Sequence, residues 1–152
     1  MKTIAVNEVL PAWGPRSLSF WLTVLCALGL IALGINGFIQ PQAASKAFGL
    51  EIVSSQDSGF VRVKATRDLA VGLAIVVFLL CRMPKALLAF AFVSATIPLL
   101  DGIWVLTQYG GEVKDSWQHF ITALFVLCVA WRLWHELRRS GSFAESEQTQ
   151  AL

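Results

Sequence analysis

Residues 66–106, TRDLAVGLAIVVFLLCRMPKALLAFAFVSATIPLLDGIWVL, decide the fold. They hold two apolar runs, Thr66 to Cys81 and Ala86 to Leu106, parted by Arg82-Met83-Pro84-Lys85. Proline lacks the amide donor that a continuing helix needs, and the two cations prefer headgroups to hydrocarbon, so these four residues read as a turn at a membrane surface. A connection this short makes the flanking helices antiparallel neighbours. Each run also encloses a carboxylate, Asp68 or Asp101, although a carboxylate in a bilayer costs roughly 2.5 to 3.5 kcal/mol on insertion scales.

Upstream, Phe20 to Phe38 is interrupted only by Thr23, Cys26 and Asn36, and at about 1.5 Å per residue it spans a hydrocarbon core of about 30 Å. Ile35-Asn36-Gly37-Phe38 does not supply the small residues of a signal cleavage site, so the run reads as a retained first helix. Downstream, Trp117 to Trp134 forms a fourth run, with Asp115 and Ser116 as candidate N-caps and Trp131 and Trp134 as an interfacial belt beside a snorkelling Arg132. The expected fold is all-α: an antiparallel bundle of four transmembrane helices, at 20–38, 66–81, 86–106 and 117–134, forming a single domain over residues 1–139. A longer loop joins helices one and two. Within it Ala43 to Phe48 suits a short interfacial helix, and Phe60 to Lys64 can already belong to helix two. Residues 140–152, polar and without an apolar period, read as a disordered tail.

Composition supports this class. The 152-residue chain is 56% hydrophobic and only 14% charged, with a mean hydropathy of +0.64, which is too apolar for a soluble domain of its size. It reads as an integral, multi-pass membrane protein with the lipid bilayer as its solvent. A formal charge of +2 carried by scattered basic residues leaves no nucleic-acid footprint. Four spans would place both termini and the Arg82 turn on one side, with Lys2, Arg16, Arg82, Lys85, Arg132, Arg138 and Arg139. Lys46, Arg62, Lys64, Arg67 and Lys114 fall on the other, a bias that puts the termini in the cytoplasm. Cys26, Cys81 and Cys128 show no paired spacing, so neither a disulfide framework nor a metal site is expected.

The depths of the polar residues carry the functional reading. Asn36 falls near the outer end of helix one, Arg67 and Asp68 near the outer start of helix two, and Asp101 a little more than a turn short of the outer end of helix three. Gln118, His119 and Thr122 occupy the first turns of helix four. Every helix thus contributes to one polar layer, while the opposite half is expected to be almost purely apolar. On helix three Ser94, Asp101 and Gln108 share a face, with Pro98 loosening the backbone before the carboxylate. On helix one Gly29, Ala32 and Asn36 form a small-residue stripe suited to close packing, either within the bundle or between the protomers of a homo-oligomer.

Structural readings stand beside these. Asp68 with Arg67 or Arg62 can be an ion pair that pins a helix start, where a carboxylate also suits the dipole. Asp101 lies near a helix C-terminus, where the dipole is unfavourable, and therefore needs a partner such as Arg62, Arg67 or His119. His119 can be a headgroup-level histidine, and Trp104 and Tyr109 can be interfacial aromatics or the lining of a cavity mouth.

No glycine-rich phosphate loop, nucleophile elbow, zinc motif or dinucleotide fingerprint is present, which leaves acid and base chemistry at the membrane, with no cofactor required. Two carboxylates and an arginine could divide the roles of acid and base, acting on an epoxide or on a polyene-like substrate. In this reading Asp68, Asp101, Arg67, Arg62 and His119 are catalytic, and Asn36, Gln118, Thr122, Trp104 and Tyr109 bind a lipophilic small molecule. The protein would be a hydrolase, isomerase or cyclase of the kind used in natural-product biosynthesis. The alternative is a non-catalytic scaffold or transport accessory whose charges are structural ion pairs.

Pro41 to Gly49, read as P-x6-F-G, followed by Arg62-x4-Arg67-Asp68-Leu69-Ala70-x-Gly72-Leu73, resembles a family of small membrane proteins of unknown function, DUF4267. The helix pattern extends the resemblance over residues 18 to 135. It implies four spans and no settled activity, and it carries over Arg62, Arg67, Asp68 and Gly72. Asp101 and His119 rest on the depth argument alone.

Overall fold

The computed structural model describes residues 13–50, 52, 57–108 and 113–139. These fold into α1 (Leu18–Ile39), α2 (Pro41–Phe48), α3 (Asp57–Leu80), α4 (Pro84–Ser94), α5 (Thr96–Gln108) and α6 (Val113–Arg139), with no strand among the described residues. Tyr109 and the 140–152 tail lie outside the described residues.

Local chemistry explains most helix ends. The Ser17 hydroxyl accepts from the Phe20 amide at 3.4 Å and caps α1. Prolines open α2 and α4, where a missing N–H costs nothing. Two helices end in Schellman turns. At the close of α2 the Leu50 amide reaches the Ser45 carbonyl and the Gly49 amide reaches Lys46, with Gly49 at φ 91°. At the close of α3 the Met83 amide reaches Phe78 and the Arg82 amide reaches Leu79, with Arg82 taking the left-handed position at φ 51°.

Several boundaries differ from the sequence reading. The interfacial helix starts at Pro41 rather than Ala43, and α3 starts at Asp57, nine residues before Thr66. Hydropathy does not register those early turns of α3 because they are polar. They are nonetheless held, because Val61 and Ala65 lie against α1 and Asp57 suits the helix N-terminus. The expected third helix is a rod broken at Ala95, where Pro98 has no N–H to offer the Ser94 carbonyl and the Leu99–Ala95 bond stretches to 3.4 Å. Asp115 and Ser116 are not N-caps, since α6 begins at Val113 and encloses both. Asp115 remains in the first turn, where its charge complements the dipole.

Leu18–Ile39, Pro84–Thr107 and Val113–Arg139 are long and apolar enough to cross a membrane. At 24 residues α3 has the length, but Arg62, Lys64, Arg67 and Asp68 crowd its first half.

Small residues bring α1 and α3 together. A Cβ on Gly37 would stand 2.6 Å from that of Ala65, one on Gly34 2.9 Å from the Ala65 carbonyl oxygen, and one on Gly72 2.8 Å from Ile31 Cγ1. These pairs also show that the two helices run in opposite directions. The expected stripe of Gly29, Ala32 and Asn36 is not the packed one, because those residues are exposed and a Cβ on Gly29 would meet nothing within 4 Å. The packed set of Ser19, Thr23, Ala27, Gly34 and Gly37 lies about half a turn around the helix, since two residues rotate it by roughly 200°.

Ala27, Ile75, Leu87, Leu88, Ala130, Leu133 and Leu137 form a buried core in the half of the molecule that contains the Arg82 turn. Phe78 meets Phe90 edge-on there, with ring centroids 5.3 Å apart. That half is not purely apolar, contrary to expectation. The hydroxyls of Ser17 and buried Ser19 both donate to Glu136 Oε2, Trp13 Nε1 donates to Ser19 Oγ at 2.8 Å, and Arg132 Nη2 lies 3.4 Å from Glu136 Oε1. This latch, which ties the start of α1 to the end of α6, escaped the sequence reading because its members are scattered through helix ends where polar residues are ordinary.

Candidate functional site

The charged residues of α3 and α5 converge at a single guanidinium. Arg67 Nη2 donates to Asp101 Oδ2 at 3.0 Å, and its Nε lies 3.5 Å from Asp68 Oδ1, an ionic contact without hydrogen-bond geometry. Asp68 Oδ2 accepts from Lys64 Nζ at 2.6 Å. The result is a chain, Lys64–Asp68–Arg67–Asp101, with two cations matched to two carboxylates. Asp68 and Lys64 are four residues apart and so lie one above the other on α3, while Arg67, one position from Asp68, points toward α5. Asp101 lies seven residues before the end of α5, about 10 Å along the axis at 1.5 Å per residue.

The two carboxylates are not equivalent. Asp68 has both oxygens against cations and its side chain is only 8% exposed. Asp101 meets Arg67 through Oδ2 and its side chain is 19% exposed. Asp101 is thus the less enclosed of the two carboxylates.

α2 closes over the cluster. The Phe48 ring lies 4.4 Å from the His119 ring, centroid to centroid, and 4.5 Å beneath the Lys64 ammonium. His119 Nε2 is 2.9 Å from the Phe48 carbonyl oxygen, and the Gln118 amide donates to the Ala47 carbonyl. These contacts occupy the orphan carbonyls at the end of α2. Gly49 is needed where it stands, both for its positive φ and because a Cβ would lie 3.0 Å from the Asp115 carbonyl oxygen and 3.2 Å from Val105 Cγ1. Gly102 has a similar role, since a Cβ there would lie 3.0 Å from the His119 Cβ.

The structure therefore gathers Asp68, Asp101 and Arg67 directly, and His119 and Gln118 through α2. It does not gather the others. Arg62 is exposed, Asn36 is exposed on the outer face of α1, Trp104 is 56% exposed, and Thr122 is exposed with its hydroxyl on the Gln118 carbonyl at 2.8 Å. Lys64 and Phe48 were missed as site members. The i, i+4 spacing of Lys64 and Asp68 is the signal that could have found the first, and the P-x6-F-G segment was the signal for the second.

A family model described as a domain of unknown function, DUF4267, matches residues 27–134. The chain belongs to this family. No curated protein and no solved structure matches it. The matched region takes in α2, the charged chain from Lys64 to Asp101, and the His119 contact, so the DUF4267 segment contains the whole cluster. Its P-x6-F-G stretch has a physical meaning here: Pro41 starts the covering helix, Phe48 fills the space between Lys64 and His119, and Gly49 lets the chain turn against α5 and α6.

Proposed function

We propose that this protein is a small membrane enzyme that acts on a lipophilic molecule by acid and base chemistry, with Asp101 as the proton acceptor. In this reading α3 is a fourth span, the four spans form an antiparallel bundle, and both termini lie in the cytoplasm. Exposed Arg16, Arg82, Lys85, Arg138 and Arg139 at the terminal end support that orientation. At the other end Lys64 and Arg67 are drawn inward by carboxylates, leaving Lys46, Arg62 and Lys114 exposed.

The observation that carries the proposal is the unequal pair of carboxylates about Arg67. Asp68, enclosed by Lys64 and Arg67, fixes the guanidinium. Arg67 in turn bonds Asp101 while remaining 40% exposed, free to orient an oxygen of the substrate. A carboxylate so placed can take a proton from water or from carbon as an electrophile opens or a double bond moves, and Lys64 or Arg67 stabilises the charge that develops.

A second reading is favoured by the saturation of Asp68. A closed chain of two cations and two carboxylates also suits a scaffold, in which each charge exists to satisfy the next. Asp101→Asn separates the two. An enzyme should keep its folded yield and thermal midpoint but lose turnover, so that mass spectrometry of solvent extracts finds a lipophilic substrate accumulated on the variant and not on the wild type. If instead folded yield falls and no compound is retained by either protein, the scaffold stands and the enzyme is discarded.

A further inference from the structure

The outer half of the molecule is built from two helix pairs, α1 with α3 and α5 with α6. Gly34, Gly37 and Gly72 bring the first pair into backbone contact, and in the second Gly102 leaves room for the side chains of His119 and Phe120. Between the pairs lie the Arg67–Asp101 bridge on one side and α2 across the end. The bridge is flanked on α3 by exposed Val63 and Ala70 and on α5 by exposed Leu100 and Trp104, an apolar surround suited to lipid. Arg67 is 40% exposed within that surround, about 10 Å below the end of α5. At the end of the bundle, by contrast, the Phe48 ring lies against the Lys64 ammonium that binds Asp68, with His119 on its other side.

We infer that lipophilic molecules reach Asp101 sideways from the bilayer, between α3 and α5, while Phe48 seals the same site from water, and that Gln118 and His119 are positioning residues that hold this seal. The inference rests on the reading of Asp101 as the functional carboxylate and adds the route and the gate. Gln118 and His119 act on backbone carbonyls of α2 rather than on a substrate. Lys64 links seal to site, because the ammonium that lies against the Phe48 ring also holds Asp68. Excluding water at that point strengthens the charge interactions of the cluster.

The test uses the full-length protein in lipid vesicles with two carbodiimides, lipophilic dicyclohexylcarbodiimide and its water-soluble dimethylaminopropyl analogue. The carboxylate oxygen attacks the central carbon of either reagent as a nitrogen takes a proton from the buffer, set mildly acidic, and the O-acylisourea rearranges to a stable N-acylurea, so the adduct retains the whole reagent mass and nothing leaves. Peptide mass spectrometry then reads the modified aspartate. In the wild type the lipophilic reagent should modify Asp101 several-fold faster than the soluble one, each rate being scaled to that with a free carboxylic acid. Phe48→Ala should raise modification by the soluble reagent several-fold and leave the lipophilic rate unchanged, and Phe48→Leu should restore the seal. Gln118→Ala provides the same readout should Phe48→Ala fold poorly. Equal access for both reagents in the wild type, modification by neither, or no response to the loss of Phe48 or of the Gln118 amide would each overturn the inference. Labelling needs no turnover, so a lipid-side route can stand even if Asp101→Asn shows the enzyme reading to be wrong.

Discussion

Around the Arg82 turn, Ala130, Leu133 and Leu137 are completely buried against Leu87, Leu88, Ile75 and Ala27, and every long helix contributes a side chain. At the far end the same helices part into pairs, and a guanidinium, a capping helix and an imidazole join them. In lipid the first arrangement gains from close contact rather than from escape from water, since acyl chains are as apolar as leucine. The second gains from charges that satisfy one another where solvent cannot. One end therefore sets the stability of the fold, while the other is held by fewer and more specific contacts.

The contrast can be broken most severely from the packed end. Leu133→Ala removes a fully buried side chain from the core and should lower the unfolding free energy in detergent by about 2–5 kcal/mol. A loss of only about 0.5 kcal/mol, typical of a surface site, would mean that the packed end does not dominate stability. A smaller effect is expected at the polar end. A double-mutant cycle on Arg67→Met and Asp101→Asn should give a coupling of about 1–2 kcal/mol, between that of a surface pair and that of a buried one. Additive losses would remove the bridge as the joint between the pairs. The smallest change concerns the turn itself: Arg82 stands in a left-handed conformation that an L side chain adopts at a cost of about 1 kcal/mol, so Arg82→Gly should raise the thermal midpoint slightly. A fall there would show that the arginine side chain does more for the turn than its backbone costs.

Much of the packed end could be read from the chain, because apolar runs, Pro84 and the short Arg82 connection each have a direct structural meaning. The convergence of Arg67, Asp68 and Asp101 was likewise visible in their depths along the helices. Rotation about each axis was not. Gly29 and Gly34 are both small residues of one helix, and nothing in the apolar run around them tells which faces α3. The start of α3 was only partly legible, with Phe60 to Lys64 allowed but not Asp57 to Gly59, since its early turns are held by contact of Val61 and Ala65 with α1 rather than by a hydropathy pattern. The part played by His119 was obscured by the backbone. Its partner is the carbonyl of Phe48, 71 residues away, and a carbonyl has no letter in a sequence.

The glycine seam between α1 and α3 has a consequence for biogenesis. A segment with Arg62, Lys64, Arg67 and Asp68 in its first half partitions poorly into hydrocarbon by itself. α1 emerges earlier from the ribosome and presents the surface that Ala65 and Gly72 fit. If α3 crosses the bilayer as proposed, it meets a partner already installed, and the glycine seam lets backbone contact with α1 offset part of the cost of its charges.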